Sequence, residues 1–203
     1  MGALDRAWSP LAHDGTARSL VHALNPACRR ELPWLSERCA PSGALDLVWS
    51  PLAHDGSARA LVHALKLRGL TAAADLMAAQ IAAGAPGGLL DAGVLVPVPG
   101  NPRKRRARGF DPAERIATAL ARRTGLRVQA VLRADRGAAA QVGAGRRQRL
   151  RRGGIGVAGA APEQVTLVDD VRTTGATLDA CARALKHAGT ATVVAVTYTR
   201  TLG

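Results

Sequence analysis

Two adjacent carboxylates at the end of an apolar run, followed by three hydroxyls and a glycine, make the most chemically loaded stretch of the chain. It reads Val165-Thr166-Leu167-Val168-Asp169-Asp170-Val171-Arg172-Thr173-Thr174-Gly175-Ala176-Thr177. Ligands of open α/β sheets bind beyond the carboxyl ends of strands, which is where such a loop falls. Thr173, Thr174, Gly175, Ala176 and Thr177 offer successive backbone N–H groups at the start of a helix. Unpaired donors and the helix dipole together make that a cradle for phosphate. Asp169 and Asp170 suit the vicinal hydroxyls of a ribose, so the pattern fits a ribose 5-phosphate held from both ends. The bland alternative is an ordinary strand-to-helix turn with an acidic start, and it must explain two carboxylates placed side by side without a ligand or metal.

Positive charge is the second concentration of chemistry. The net charge is +13, and residues 101–152 hold 16 Lys or Arg against Asp111, Glu114 and Asp135, which leaves the rest of the chain neutral. A field of that kind attracts polyanions, either a nucleic-acid backbone or a small polyphosphate. Arg far outnumbers Lys, and Ala and Gly abound. A GC-rich coding bias explains Arg replacing Lys but not the clustering. Phe110, Tyr198, Trp8, Trp34 and Trp49 are the only aromatic residues, which argues against a stacking platform for single strands.

These groups need elements to hold them. Alternating patterns predict a helix over about 71–84, a buried strand over Val94–Pro99, a basic loop over Gly100–Arg108 and a helix over about 110–124 ending near Gly125. A short strand follows around Arg127–Leu132. Next comes a Gly/Arg-rich stretch over 133–153 with weak helical signal near 145–152, then strand Val165–Val168, a helix over about 177–188 and strand Ala191–Thr197. Alternation with near-continuous apolar strands implies an α/β fold, a mainly parallel sheet flanked by helices. Upstream, residues 3–24 and 44–65 match at 18 of 22 positions, a duplication with little divergence. Each copy reads as a short strand, an Asp-Gly turn and a helix, and the second runs on into the main core. Residues 1–43 are therefore expected to be an appendage and linker, and 44–203 the domain. Exchange of the duplicated segment between chains would give a homodimer, while a dispensable tail is the plainer expectation.

The Val165–Thr177 segment resembles the phosphoribosyl pyrophosphate (PRPP) motif of type I phosphoribosyltransferases over its full length. Three further stretches are similar to the ComF subgroup of that family: Val96-Pro97-Val98-Pro99 with Gly100–Phe110, Leu65-Lys66-Leu67-Arg68-Gly69, and Gln141–Arg149. Together they span roughly residues 44–203. The resemblance implies Asp169 and Asp170 on the ribose 2- and 3-hydroxyls and Thr173, Thr174, Gly175, Ala176 and Thr177 around the 5-phosphate. It further implies Arg103, Lys104, Arg105 and Arg106 as candidates for pyrophosphate, and a closing segment carrying Gln141, Arg146, Arg147 and Arg149. Mg²⁺ would arrive with PRPP, near Asp169 and Asp170. The expected activity is transfer of a phosphoribosyl group to an acceptor with release of pyrophosphate. The alternatives are a PRPP sensor without turnover and a competence-linked protein that binds single-stranded DNA through its arginines.

The chain departs from the family in three places. The cysteine-rich zinc module at the start of ComF proteins is reduced to Cys28 and Cys39, and structural zinc needs four ligands, so zinc is not expected. Asp111-Pro112 follows Phe110 where relatives commonly carry Asn-Gln; the pair suits a helix cap and first turn. Thr173 stands where purine-salvage relatives carry an acidic residue, so no general base is named. His54 and His63 read as structural, Cys181 as a small buried hydrophobe, and Lys66 and Arg68 as either phosphate-facing or solvated. No apolar run approaches the ~20 residues of a membrane span, and the first residues lack a signal-peptide pattern. The expectation is a cytoplasmic protein.

Overall fold

A computed structural model describes residues 43–91, 93–134 and 154–201. The first repeat copy, Cys28, Cys39, Gln141, Arg146, Arg147 and Arg149 lie outside the described residues, so the appendage, the segment exchange and the closing segment are not addressed by it.

The second repeat copy supplies strands β1 (Leu47–Trp49) and β2 (Leu52–Ala53) and most of helix α1 (Gly56–Arg68). Gly69 ends α1 at φ 64°, returning its N–H to the Ala64 carbonyl, a left-handed stop that glycine adopts without a Cβ penalty. Then come α2 (Ala72–Gly84), β3 (Val94–Pro97), α3 (Pro102–Arg108), α4 (Pro112–Thr124) and β4 (Arg127–Val128). The chain continues through β5 (Leu132–Ala134), β6 (Ile155–Val157), β7 (Gln164–Arg172), α5 (Ala176–His187) and β8 (Thr192–Arg200).

The main sheet has the order β1-β8-β7-β3-β4, with β2 also on β8. All of its pairings are parallel, and β5 and β6 form a separate antiparallel pair. The fold is therefore α/β with a mainly parallel sheet flanked by helices.

Side-chain alternation along the strands divides the apolar interior in two. On one face Leu95, Val168, Val194 and Val196 pack with α1, α2 and α4. On the other, Val96, Leu167, Val193 and Ala195 pack with Leu178, Cys181 and Leu185 of α5. Burial of each large aliphatic side chain contributes about 1.5–3 kcal/mol, so both faces are needed to hold β7 and β8 at the centre.

Four local expectations change. The stretch expected as a basic loop is largely helix α3: Asn101 Oδ1 accepts from the N–H groups of Arg103 and Lys104, Pro102 opens the first turn, and Gly109 closes the last at φ 79°. Those caps outweigh the mutual repulsion of the cations. Strand β7 runs on to Arg172, four residues past Val168, because β8 continues beside it to Arg200. The expected strand at Arg127–Leu132 is two short strands, β4 on the main sheet and β5 paired with β6. Strand β6 has no counterpart among the expected elements. It lies just past the Gly/Arg-rich stretch, and its antiparallel register brings Ala134 opposite Ile155.

Candidate functional site

The register of the sheet opens a recess around the acidic pair. Strand β3 last pairs at Pro97 with Val168, and the Val98 N–H still reaches the Val168 carbonyl at 2.9 Å. Beyond that point the chain turns away into Gly100 and α3, whereas β8 stays alongside β7. Asp169 and Asp170 thus stand at the carboxyl end of the sheet with a strand on one side only. Such a crevice is where ligands of open α/β sheets bind.

The pair does not end the strand as expected; both aspartates lie within it and leave on opposite faces. Asp169 follows Leu167 toward α5, where its charge helps raise the Cys181 thiol, pushed up to about 12 chiefly by burial. Asp170 follows Val168 toward α1, where Lys66 Nζ lies 2.6 Å from its Oδ2. The Asp170 side chain is 7% exposed. Lys66 is thus the partner that this buried carboxylate oxygen has among the described residues. Asp169 Oδ1 accepts the Asp170 N–H at 2.8 Å. Burial first, and then the neighbouring Asp170 charge, hold the Asp169 carboxyl well above the ordinary carboxylate range. Two like charges on adjacent residues cannot both ionise at ordinary cost.

Around this centre lies the turn from Thr173 to Thr177 that opens α5. Gly175 precedes α5 at φ 79°, and a Cβ there would also sit 3.4 Å from Arg172 Nε. Thr173, Thr174, Ala176 and Thr177 are exposed. The Thr174 hydroxyl accepts the Ala176 N–H at 3.3 Å, and no side chain of the cap residue closes the helix. The first-turn N–H groups of α5 have no partner within the helix. Asp179, in that first turn, is engaged elsewhere: it accepts the Ala44 N–H at 2.9 Å and pairs with Arg183.

Arg103, Lys104, Arg105 and Arg106 all stand exposed on α3. Arg105 and Arg106, with Pro102 and Gly109, line an open cavity of about 440 Å³. Arg105 lies 4.0 Å from Glu114 of α4. The root of this helix is tied to the acidic pair's surroundings by Asp111. That residue is buried and caps α4 through the Ala113 N–H (3.1 Å) while also holding the Gly100 N–H (3.0 Å). Asp111 is thus the helix cap that its sequence neighbours suggest, and its charge is among those that raise Asp169.

The sequence leaves Lys66 open and assigns the histidines to structure. The site brings in both Lys66 and His54. His54 Nδ1 lies 2.9 Å from Thr199 Oγ1, and that hydroxyl donates to the Asp170 carbonyl at 3.4 Å. Burial, helped by Arg59, Lys66 and His63, lowers the His54 pKa. Ser50 and Thr197 share a hydrogen bond of 2.6 Å. Nothing local in the sequence marks these hydroxyls; they come together because β1 and β2 pair with β8, which in turn lies beside β7. The third stretch converging here is the turn after α1: a Cβ on Gly69 would lie 3.9 Å from the Phe110 ring, over which Arg115 stands at 5.9 Å.

Among the described residues no group of three His, Cys, Asp or Glu side chains could hold a metal ion by itself. The donor set suits a cation that brings phosphate oxygens as its other ligands, since Mg²⁺ is commonly held by one or two carboxylates plus substrate phosphates. No helix among the described residues is long and apolar enough to cross a membrane. No family model and no curated protein matches the chain.

Proposed function

We propose that the protein binds PRPP, or a closely similar phosphorylated ribose, and transfers its phosphoribosyl group in the manner of the type I phosphoribosyltransferases and their ComF subgroup. The observation that carries this reading is convergence. Three stretches far apart in sequence, Lys66–Gly69, Gly100–Asp111 and Asp169–Thr177, meet at one end of the sheet. They bring the Thr173–Thr177 turn, the acidic pair and a cationic helix to the same end of the sheet.

In this reading the start of α5, with Thr173, Thr174, Gly175, Ala176 and Thr177, takes the 5-phosphate through backbone N–H groups and hydroxyls. Asp169 and Asp170 accept hydrogen bonds from the ribose diol. Arg103, Lys104, Arg105 and Arg106 offset charge on the diphosphate. Mg²⁺, arriving with the diphosphate near Asp169 and Asp170, supplies charge neutralisation. The acceptor's nucleophilic atom forms a bond to C1 as the C1–oxygen bond to diphosphate breaks, and diphosphate departs with that electron pair. The protein's share is electrostatic preorganisation of an oxocarbenium-like transition state.

Calorimetric titration of PRPP with and without Mg²⁺, on the parent chain and on Asp169→Asn, tests the reading. Mg²⁺-dependent binding that the folded variant loses supports it; absence of binding by the folded parent refutes it. Diphosphate release across a panel of acceptors then separates a transferase from a sensor. A second reading, strand binding by the exposed cations of α3, requires DNA affinity that falls steeply with salt. Absent or salt-insensitive binding removes that reading.

A further inference from the structure

The ion pair between Lys66 and Asp170 bears on which ligands this recess accepts. Asp170 is the deeper of the two partners, its side chain 7% exposed, and Lys66 Nζ stands 2.6 Å from Oδ2 while remaining 28% exposed itself. Lys66 is anchored in the last turn of α1, whose Ala58, Val62 and Leu65 are locked into the core. The head group can therefore swing on its own stem while the helix stays fixed. A diol that reaches Asp170 competes with Nζ for the same oxygen.

The direction of approach decides what happens to the displaced charge. Helix α1 packs on the same face of the sheet as α4, and Asp111, the cap of α4, also fastens the approach to the cationic helix α3. The phosphate cradle leads into α5, which packs on the opposite face. Lys66 thus comes to the acidic pair from the diphosphate side of the proposed ligand. Freed from Asp170, an ammonium there is stabilised by a ligand that carries negative charge at C1, and a ligand bearing only a 5-phosphate gives it much less.

We infer that Lys66 is a specificity-determining latch: it occupies Asp170 until a ligand supplies both a diol and an anion on the α3 side. This rests on the function proposed above and deepens it. The latch makes the site select a 1-diphosphate over ribose 5-phosphate by more than the added contacts to α3 alone. Removing the amine removes the competitor, which favours ribose 5-phosphate, and also removes a counter-charge for the diphosphate.

The test compares the dissociation constants of PRPP and ribose 5-phosphate, each with Mg²⁺, on the parent, Lys66→Met, Lys66→Gln and Lys66→Arg. The expected result is that the parent's preference for PRPP falls at least tenfold in both neutral variants, with ribose 5-phosphate bound as well as before or better. Lys66→Arg restores most of the preference. Far-ultraviolet circular dichroism and the unfolding midpoint establish that each variant is folded, and Lys66→Gln covers the case in which Met at this part-exposed position disturbs the helix end. An unchanged preference, or equal loss of both ligands in a folded variant, overturns the latch. Failure of the parent to bind PRPP refutes the underlying function instead, and it is seen before any variant is made.

Discussion

The contact between Gly100 and Asp111 invites a double-mutant cycle whose outcome can be worked out in advance. A Cβ at position 100 would lie 2.7 Å from Asp111 Oδ2. The carboxylate cannot retreat freely, because Oδ2 holds the Gly100 N–H at 3.0 Å and Oδ1 holds the Ala113 N–H at 3.1 Å. Gly100→Ala alone should therefore cost about 1–3 kcal/mol, the range for overpacking a close-packed site. Asp111→Ala alone removes a helix cap, about 1 kcal/mol, and leaves the part-buried Gly100 N–H without its acceptor, about 1–3 kcal/mol more. In the double variant the oxygen that the added methyl group would strike is gone, so Gly100→Ala adds close to nothing to Asp111→Ala. The cycle should return a coupling of about 1–3 kcal/mol in the sense that the double variant is more stable than the sum of the singles. Urea unfolding at neutral pH of the four proteins measures it. Single costs that add to within about 0.5 kcal/mol would refute the claim that Asp111 is pinned against Gly100 and ties the root of α3 to the cap of α4.

Two further outcomes follow from the ionisable groups. Because the Asp169 carboxyl is held well above the ordinary range by burial and Asp170, the folded state binds its proton more tightly than the unfolded chain. Its contribution to stability is therefore present at low pH and falls as pH rises through the window between the ordinary and the raised values. Asp169→Asn should be more stable relative to the parent at pH 7 than at pH 4 while losing PRPP, and a stability difference that is flat or reversed with pH would contradict this. The Cys181 thiol, fully buried and pushed up to about 12, should resist thiol reagents in a chain with Cys28 and Cys39 changed to Ser. Labelling is expected only as fast as global unfolding, and stoichiometric reaction of the native protein would show the burial to be wrong.

The sequence discloses the frame of the molecule because its punctuation is local. Gly125 at φ 75°, with Asp111 and Pro112 at the other end, bounds α4 where the residues predict a helix. Continuous apolar runs mark β3, β7 and β8. The boundaries that differ depend on partners distant in the chain. Nothing about Asp169 or Asp170 favours a strand, yet the edge of β8 carries β7 through both of them. Strand β6 is three residues long and has meaning only opposite β5. Helix α3 is legible in principle: an Asn-Pro opening and a Gly stop flank the cations, and reading their charge as evidence for a loop gives repulsion more weight than two caps. The site follows the same rule. Its Asp169–Thr177 segment is one continuous string, whereas Lys66 facing Asp170 and Thr199 bridging His54 to the strand arise only when the carboxyl ends of β2, β7 and β8 are laid side by side.

That β8 sits between β1 and β7 while also pairing with β2 sets the order in which a nascent chain can assemble. The strand on which three others depend is the last of the described elements to be synthesised. Until it emerges, β1 and β2 lack the neighbour they pair with, and β7 exposes a bare edge and lacks the strand that carries it through its carboxylates. Parallel pairings of such long sequence separation form slowly, and unpaired edges in waiting intermediates are prone to the wrong partners. A chain cut short before Thr192 would therefore come apart from the middle of its sheet outward. A ribosome that pauses before β8 has emerged would hold the chain at its most vulnerable stage.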